Sequence, residues 1–178
     1  MSEFFLELFS EEIPAGLQRN SRKTLLESFQ KLFEEKKISF KKSSSFSTPN
    51  RLIILFEGLS KETIQKAEEI KGPNVNAPEK AVEGFLRSNK IDKENLLKKK
   101  IEKREFYFFK TPSKKINTIN LLEEFTPLIL DKLQWKKSMK WGGYSLNWAR
   151  PLKSILAVFD GKSLSFKFHH LTSSNKTF

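Results

Sequence analysis

The residues whose types best suit chemistry lie between Lys132 and Phe159, in the stretch KLQWKKSMKWGGYSLNWARPLKSILAVF. This stretch contains all three tryptophans of the chain, six lysines and arginines, and no acidic residue. Aromatic rings can stack on nucleic-acid bases while fixed positive charges hold phosphates, so the composition suits the binding of a polyanion. Tryptophans also bury well in a protein core, and lysines commonly solvate a surface. Composition alone therefore favours a structural interpretation over a polyanion site.

The positive charge of the chain is concentrated towards its end. The net charge is +12, and residues 132–178 contain nine lysines and arginines against one acid, Asp160. This last quarter therefore carries +8 of the net charge, as expected of a part that faces a polyanion. Lysine supplies 27 of the 33 basic residues, so the six arginines are the more specific signal. A guanidinium can hold a phosphate through two hydrogen bonds, which a lysine cannot do.

Four cationic residues are the candidate contacts for RNA phosphates: Arg51, Lys137, Lys140 and Arg150. The two lysines come just before a Gly-Gly pair, where the backbone can turn or approach a partner closely. Arg150 is the only arginine of the acid-free stretch, and the proline behind it favours an extended local backbone. Arg51 begins an apolar run, where packing of a buried strand would fix the stem of its side chain.

A structural role is the alternative for the same stretch. Arg150 would then pair with an acid inside the fold, for which Glu3 and Glu7 on the first predicted strand are the candidates. Trp141 and Trp148 flank the Gly-Gly pair, and we expect both to be mostly buried.

The sequence predicts no catalytic, cofactor-binding or metal-binding residue. It has no cysteine, and the phosphate-loop pattern GxxxxGK[ST] does not occur. The two histidines, His169 and His170, are adjacent in a predicted strand and would point to opposite faces, which makes a poor metal pair. Glu3 and Glu7 share a strand face but resemble ordinary solvated carboxylates. The residues therefore indicate a polyanion-binding module rather than a self-sufficient enzyme.

Periodicity predicts a mixture of helices and strands. Alternation over residues 3–9 and the continuous apolar run Leu52–Phe56 indicate strands. Apolar residues at helical spacing indicate amphipathic helices. The predicted helices are residues 15–36, 79–89 and 121–133, the last with a kink at Pro127. Four further strands are predicted: one that opens with Ile38 and Phe40, one that ends at Gly72-Pro73, and two over residues 106–109 and 155–159.

The connecting segments complete this prediction. Residues 90–100 are expected to form a charged connector with at most one helical turn, and residues 111–115 a loop. Asp160-Gly161 is typical of a two-residue hairpin turn, and alternation continues beyond it. Without a regular strand-helix-strand repeat, the pattern favours an α+β fold, in which amphipathic helices cover a mixed, largely antiparallel sheet. A length of 178 residues favours a single domain over 1–178.

Targeting signals do not alter this prediction. The acidic start MSEFFLELFSEE lacks the positive charge of a signal peptide, and no apolar run approaches the ~20 residues of a membrane span. We therefore expect a soluble, cytoplasmic protein without a membrane partner.

Six segments in order resemble one family, the β subunit of bacterial heterotetrameric glycyl-tRNA synthetase. They are FFLELFSEEIPAGL at 4–17, FSTPNRLIILFEGL at 46–59, Gly72-Pro73, AVEGFLRSNKI at 81–91, KSMKWGG at 137–143 and ARPLKSILAVFDG at 149–161. Each is weak alone, but together they span nearly the whole chain. Two positions depart from the family pattern: Asn50 and Lys140 stand where the family has arginines. If those arginines hold phosphates, one contact is lost here and one is weakened.

The resemblance implies a role in the ATP-dependent attachment of glycine to tRNA. It implies that catalysis, with ATP and Mg, belongs to the α subunit, and that two α and two β subunits assemble. This chain would be a truncated N-terminal piece of a longer subunit, inactive alone, that binds no cofactor and supports tRNA(Gly) binding and subunit architecture. The alternatives are a non-catalytic structural or subunit-docking module, and a sequence-independent RNA-binding domain.

Overall fold

The computed structural model describes residues 2–65, 69–89, 91–101, 104–110 and 113–177. Where the sequence favours a single domain, contacts divide the chain into two compact units. Residues 1–63 and 116–178 form the first unit, and residues 64–115 form the second. The first unit is therefore built from both ends of the chain.

The helices and strands confirm the predicted α+β class. In chain order they are β1 (Glu3–Ser10), α1 (Ala15–Glu35), β2 (Lys42–Thr48), β3 (Arg51–Glu57), β4 (Glu62–Gln65), β5 (Glu69–Asn74), α2 (Glu79–Asn89), a 3-10 turn (Lys93–Asn95), β6 (Leu96–Ile101), β7 (Arg104–Lys110), β8 (Lys114–Asn117), α3 (Thr118–Asp131), β9 (Leu152–Phe159), β10 (Lys162–Ser163), β11 (Lys167–Phe168) and β12 (Leu171–Thr172).

A five-stranded antiparallel sheet in the order β10-β9-β1-β3-β2 forms the first unit's centre. Its inner face is apolar because alternate residues of the three middle strands point the same way. These residues are almost fully buried: Phe4, Leu6, Leu8, Leu52, Ile54, Phe56, Ile155, Ala157 and Phe159. They form one core with buried residues of α1 and α3. The predicted alternation of β1 is therefore confirmed.

Aromatic packing fixes α1 on this face. The ring of Phe29 lies 5.3 Å from that of Phe4, and Phe33 packs edge-on against Phe56 at 4.9 Å. Phe40 also packs edge-on against Phe56, at 5.1 Å. Such pairs contribute about 0.5–1.5 kcal/mol each beyond the area they bury.

The outer face of the same sheet carries a second apolar row, which is only partly covered. Cross-strand register places Phe46, Ile53, Glu7 and Leu156 in one row across β2, β3, β1 and β9. Phe46 is 52% exposed, and Ile53 and Leu156 are partly buried. Glu7 is buried in this row, where it accepts a hydrogen bond from the Thr177 hydroxyl.

The prediction for β2 was wrong. Ile38 and Phe40 precede the strand, and the serine run forms it. The run tolerates polar residues because β2 lies at the edge of the sheet, where one side of the backbone faces outward. Ile38 is buried instead as part of the core below α1. The hairpin turn at Asp160-Gly161 is confirmed, since both residues have the positive φ, 51° and 76°, that such a turn requires.

The second unit contains a three-stranded antiparallel sheet, β5-β7-β6, and helix α2. The strand predicted over 106–109 is confirmed by β7. The strand predicted to end at Gly72-Pro73 is β5, which continues to Asn74 through a register shift. The connector predicted over 90–100 contains strand β6, although Lys90 lies outside the described residues. The Lys99 ammonium, hydrogen-bonded to Glu69 at 2.6 Å, lowers the pKa of that carboxyl below its usual value.

The region around α3 also departs from prediction in one detail. The helix predicted over 121–133 is confirmed with the bounds Thr118–Asp131 and with Pro127 inside it, and the Asn117 side chain caps it by accepting from the Ile119 N–H. The loop predicted over 111–115 overlaps β8, while Thr111 and Pro112 lie outside the described residues.

The histidine pair was predicted wrongly as part of a strand. His169 and His170 form the turn between β11 and β12, and His169 has a left-handed φ of 52°. The alternation before the turn is confirmed, because Leu164, Phe166 and Phe168 are all buried. Burial of these three side chains holds residues 164–168 against the core, although most of this segment forms no hydrogen-bonded ladder with another strand.

Candidate nucleic-acid interface

The acid-free stretch begins as an irregular loop, 132–151, which we call the basic loop. An antiparallel bridge closes its middle: the Met139 N–H donates to the Trp148 carbonyl at 2.8 Å, and the reverse bond measures 3.1 Å. Gly142 and Gly143 have φ of 56° and 73°, and the Tyr144 N–H donates to the Trp141 carbonyl at 3.0 Å. Two successive left-handed residues suit glycine, so this pair lets the loop turn back tightly.

The tryptophans anchor the basic loop to the core. Trp148 is 1% exposed and packs against Trp135 at 4.9 Å and Phe168 at 5.9 Å between ring centroids. The predicted burial of Trp148 is therefore confirmed. Trp141 is partly buried, and its ring meets that of His170 edge-on at 5.9 Å. Trp148 therefore has a structural role, because a ring that is almost fully buried has no free face on which a base could stack.

A different aromatic residue of the loop remains accessible. Tyr144 is 44% exposed and stacks flat on His170, with ring centroids 3.7 Å apart and planes only 7° apart. The neighbouring His169 accepts or donates hydrogen bonds at both ring nitrogens, with Ser145 Oγ at 3.2 Å and Asp131 Oδ1 at 3.2 Å. The turn that carries the histidines is thereby joined to both the basic loop and α3.

Two of the predicted phosphate contacts lie together. Lys137 and Arg150 line one shallow cavity of about 100 Å³ with Met139 and Pro14. Lys140 is exposed on the same loop, directly after Met139. Across the part of the chain that the structure describes, neither Lys137 nor Lys140 forms an ion pair. Both ammonium groups are therefore available to an anion.

Arg150 is fixed by weak contacts rather than by a carboxylate. Its Nε donates to the Glu12 carbonyl at 3.3 Å, and its Nη1 lies 3.7 Å from the Met139 sulfur. The pairing with Glu3 or Glu7 that the sequence offered as an alternative is wrong for the residues described. Arg150 also lines a larger cavity, of about 330 Å³, with Glu11 and Glu12, and these two acids reduce the positive potential on that side.

Arg51, the fourth candidate, lies in a different setting on β3. Its Nε is 3.4 Å from a carboxylate oxygen of Glu7, and its guanidinium lies over the Phe9 ring at 4.6 Å. It lines neither cavity of the basic loop. This geometry supplies the counter-charge of a buried carboxylate, so a structural role competes with phosphate binding at Arg51.

We expect Arg51→Met to destabilise the protein by about 1–3 kcal/mol, because it leaves the buried Glu7 carboxylate without its cationic partner. Urea unfolding measures this change. The double variant Glu7→Gln/Arg51→Met should recover part of the loss, since the uncompensated charge is then absent. Additive losses in the double variant would show that the ion pair contributes nothing.

Sequence reasoning missed the Tyr144–His170 stack. The two residues are 26 positions apart, and no local pattern indicates that the turn at His169-His170 folds back onto the basic loop. The Gly-Gly pair before Tyr144 was the one available signal, because a tight turn exposes the residue that follows it.

Other classes of site find little support in the described part of the chain. No group of three or more histidines, acids or cysteines there is placed to hold a metal ion. Among the described helices, none combines the length and the apolar character that a membrane crossing needs.

Comparison with known proteins agrees with the resemblance seen in the sequence. The profile of the family described as "Glycyl-tRNA synthetase beta subunit" matches residues 4–178. The glycine–tRNA ligase β subunits of Rickettsia felis and Rickettsia conorii are 42% and 43% identical over 98% and 100% of this chain. That of Rickettsia canadensis is 44% identical over the full chain.

The same relatives are much longer. The chain spans about a quarter of their length, 26% for Rickettsia felis and 27% for Rickettsia conorii. The family profile covers nearly all of the chain, including both passages of the first unit and the basic loop. The chain therefore belongs to the glycyl-tRNA synthetase β subunit family.

Proposed function

We propose that this chain supports tRNA(Gly) binding within a glycyl-tRNA synthetase whose α subunit joins glycine to tRNA with ATP and Mg. The observation that carries the proposal is the basic loop. Its exposed Lys137 and Lys140 have no ion-pair partner among the described residues, and Arg150 shares a cavity with Lys137. An acid-free loop of this kind attracts the phosphates of any nucleic acid.

The chemistry of the reaction belongs elsewhere in this proposal. The chain contributes positioning and charge to an assembly of two α and two β subunits in the cytoplasm, while both the activation of glycine and its transfer occur in α.

Binding of tRNA tests the proposed function. A transcript of tRNA(Gly) titrated with the chain should bind with an affinity that falls steeply as salt rises. Three or four phosphate contacts predict a slope of about −2 to −4 for log K against log salt. Absence of binding at low salt would refute the proposal. Equal affinity for unrelated tRNAs would instead favour sequence-independent RNA binding.

We expect the purified chain alone to show no glycine-dependent exchange of pyrophosphate into ATP. The proposal assigns both ATP and glycine to the α subunit, so the chain supplies no site for the activation step. The assay compares the chain, the α subunit, and the two together, with each preparation made in a host lacking a homologous synthetase. Exchange catalysed by the chain by itself would contradict the assignment of catalysis to α.

The outer sheet face favours a second candidate function, docking of the α subunit. Phe46 is 52% exposed at its edge, Ile53 lies next to it, and Leu156 lies beyond the buried Glu7 in the same row. A partly covered apolar row of this kind is typical of a protein interface. The relatives are named β subunits, which makes a companion subunit the natural occupant.

Phe46→Glu would place a charge in that interface and weaken co-purification with α. The matched control is Leu128→Glu, which changes a similarly exposed apolar residue, 51% exposed, on helix α3 rather than on the sheet. Equal association for both variants and the unsubstituted chain would exclude docking through this face.

A further inference from the structure

We propose that the exposed side of the Tyr144 ring is a stacking platform for one unpaired base of the bound RNA. The inference rests on the proposed function, and it goes further by assigning a base contact and a preference for single-stranded nucleotides. Neither the predicted phosphate contacts nor the family comparison identifies this residue.

The platform has one covered side and one accessible side. His170 lies flat against the Tyr144 ring at 3.7 Å, so that side cannot accept a base. The tyrosine nevertheless keeps 44% of its surface exposed. From this exposure we infer that the ring face opposite His170 is open, so that a flat partner would continue the stack that Tyr144 and His170 begin.

The platform is also held in position before any ligand arrives. The Trp141 ring packs nearly perpendicular to His170, and the adjacent His169 is bonded to Ser145 and Asp131. Gly142 lies so near the Tyr144 ring that a Cβ there would come within 3.1 Å of it. A side chain fixed from behind and from the side loses little freedom on binding, which favours affinity.

The surrounding charge favours a nucleotide over an apolar protein segment. Lys140 lies four residues before Tyr144 on the same loop, and the loop contains no acid. A loop that carries both cations and an exposed ring matches the two parts of a nucleotide, because an ammonium can meet the phosphate and the ring can meet the base. An apolar partner would offer these exposed ammonium groups no anion.

Base pairs inside a helix cannot use such a platform, since both of their faces are already stacked. Single-stranded loops and ends present free base faces, and sequence-tolerant stacking on aromatic side chains is typical of their recognition. The expected ligand is therefore an unpaired nucleotide of the tRNA rather than its duplex stems.

Three variants of the chain test this inference with a tRNA(Gly) transcript. Tyr144→Leu removes the ring, and we expect about 5- to 150-fold weaker binding with an unchanged salt slope, since stacking contributes about 1–3 kcal/mol per base. Tyr144→Phe keeps the ring and should bind like the unsubstituted chain. Lys137→Gln/Lys140→Gln should make the slope of log K against log salt shallower.

A second measurement locates the base. 2-Aminopurine placed at each unpaired position of the transcript in turn should be quenched by binding at one position, and Tyr144→Leu should abolish that quenching. Near-equal thermal midpoints confirm that each variant is folded.

The outcomes separate the inference from the function on which it rests. If Tyr144→Leu binds tRNA as tightly as the unsubstituted chain while the lysine variant is weakened, stacking is refuted and RNA binding stands. If neither change affects binding, stacking is refuted and the RNA site lies outside the basic loop; if the unsubstituted chain does not bind tRNA(Gly) at low salt, both fail. If Tyr144→Leu instead weakens association with the α subunit and leaves RNA binding intact, the ring belongs to a protein interface and the inference is overturned.

Discussion

Replacing Trp148 with alanine is expected to lower the free energy of unfolding by about 3–5 kcal/mol. The side chain is 1% exposed and fills the space between Trp135 and Phe168. Its backbone also forms both hydrogen bonds of the bridge to Met139, so a cavity there loosens the middle of the basic loop. A loss of this size is a large part of the ~5–15 kcal/mol that stabilises a domain.

Urea unfolding followed by circular dichroism measures the effect. Tyr144→Ala is the matched control, because it removes an aromatic ring from the same loop at a position that is 44% exposed. The control should cost much less, since most of the cost of truncation comes from lost burial and from the cavity left behind. If Trp148→Ala unfolds at the same urea concentration as the unsubstituted chain, Trp148 does not anchor the loop.

The parts of the fold that the sequence predicted well are those with strong burial on one face. Strand β1 alternates between apolar and polar residues because the sheet buries one of its faces under α1 and α3. Helix α1 places its apolar residues at helical spacing for the same reason. In such elements burial of one face determines both the apolar pattern and the packing, so periodicity in the sequence is enough to predict them.

Edge strands were harder to predict. Strand β2 is a serine run and β6 contains three successive lysines, Lys98 to Lys100. Neither has the composition of a strand, and each exists because a more apolar neighbour, β3 or β7, offers a ladder of hydrogen bonds. Pairing of this kind depends on a partner elsewhere in the chain, which a local pattern does not report.

The candidate site shows the same division. The concentration of charge in the basic loop could be read from composition, and the structure brings Lys137 and Arg150 to one cavity. The counter-charge for Glu7 could not be assigned, because register across two strands brings Arg51 to it rather than Arg150. Charge can be counted along a sequence, but the pairing of charges requires the three-dimensional arrangement.

The double variant Lys137→Gln/Lys140→Gln is expected to bind tRNA(Gly) about 25- to 60-fold more weakly at 0.1 M salt than the unsubstituted chain. Each lost phosphate contact makes the slope of log K against log salt shallower by about 0.7–0.9. The affinities of the two proteins converge at 1 M salt, so at 0.1 M, one decade lower, log K differs by the whole change in slope. The total slope should therefore become shallower by about 1.4–1.8. Both side chains are exposed and have no ion-pair partner among the described residues, so the thermal midpoint should not change.

The matched control for this variant is Lys162→Gln/Lys167→Gln. It removes the same two charges from the same lysine-rich last quarter, but from exposed positions on β10 and β11 outside the basic loop. A general attraction between a positive protein and RNA would weaken binding by the same factor in both variants. If the basic loop contacts phosphates directly, the slope of log K against log salt becomes shallower only in the Lys137→Gln/Lys140→Gln variant. Equal slopes for the two variants would therefore place the RNA site elsewhere on the chain, whatever their affinities.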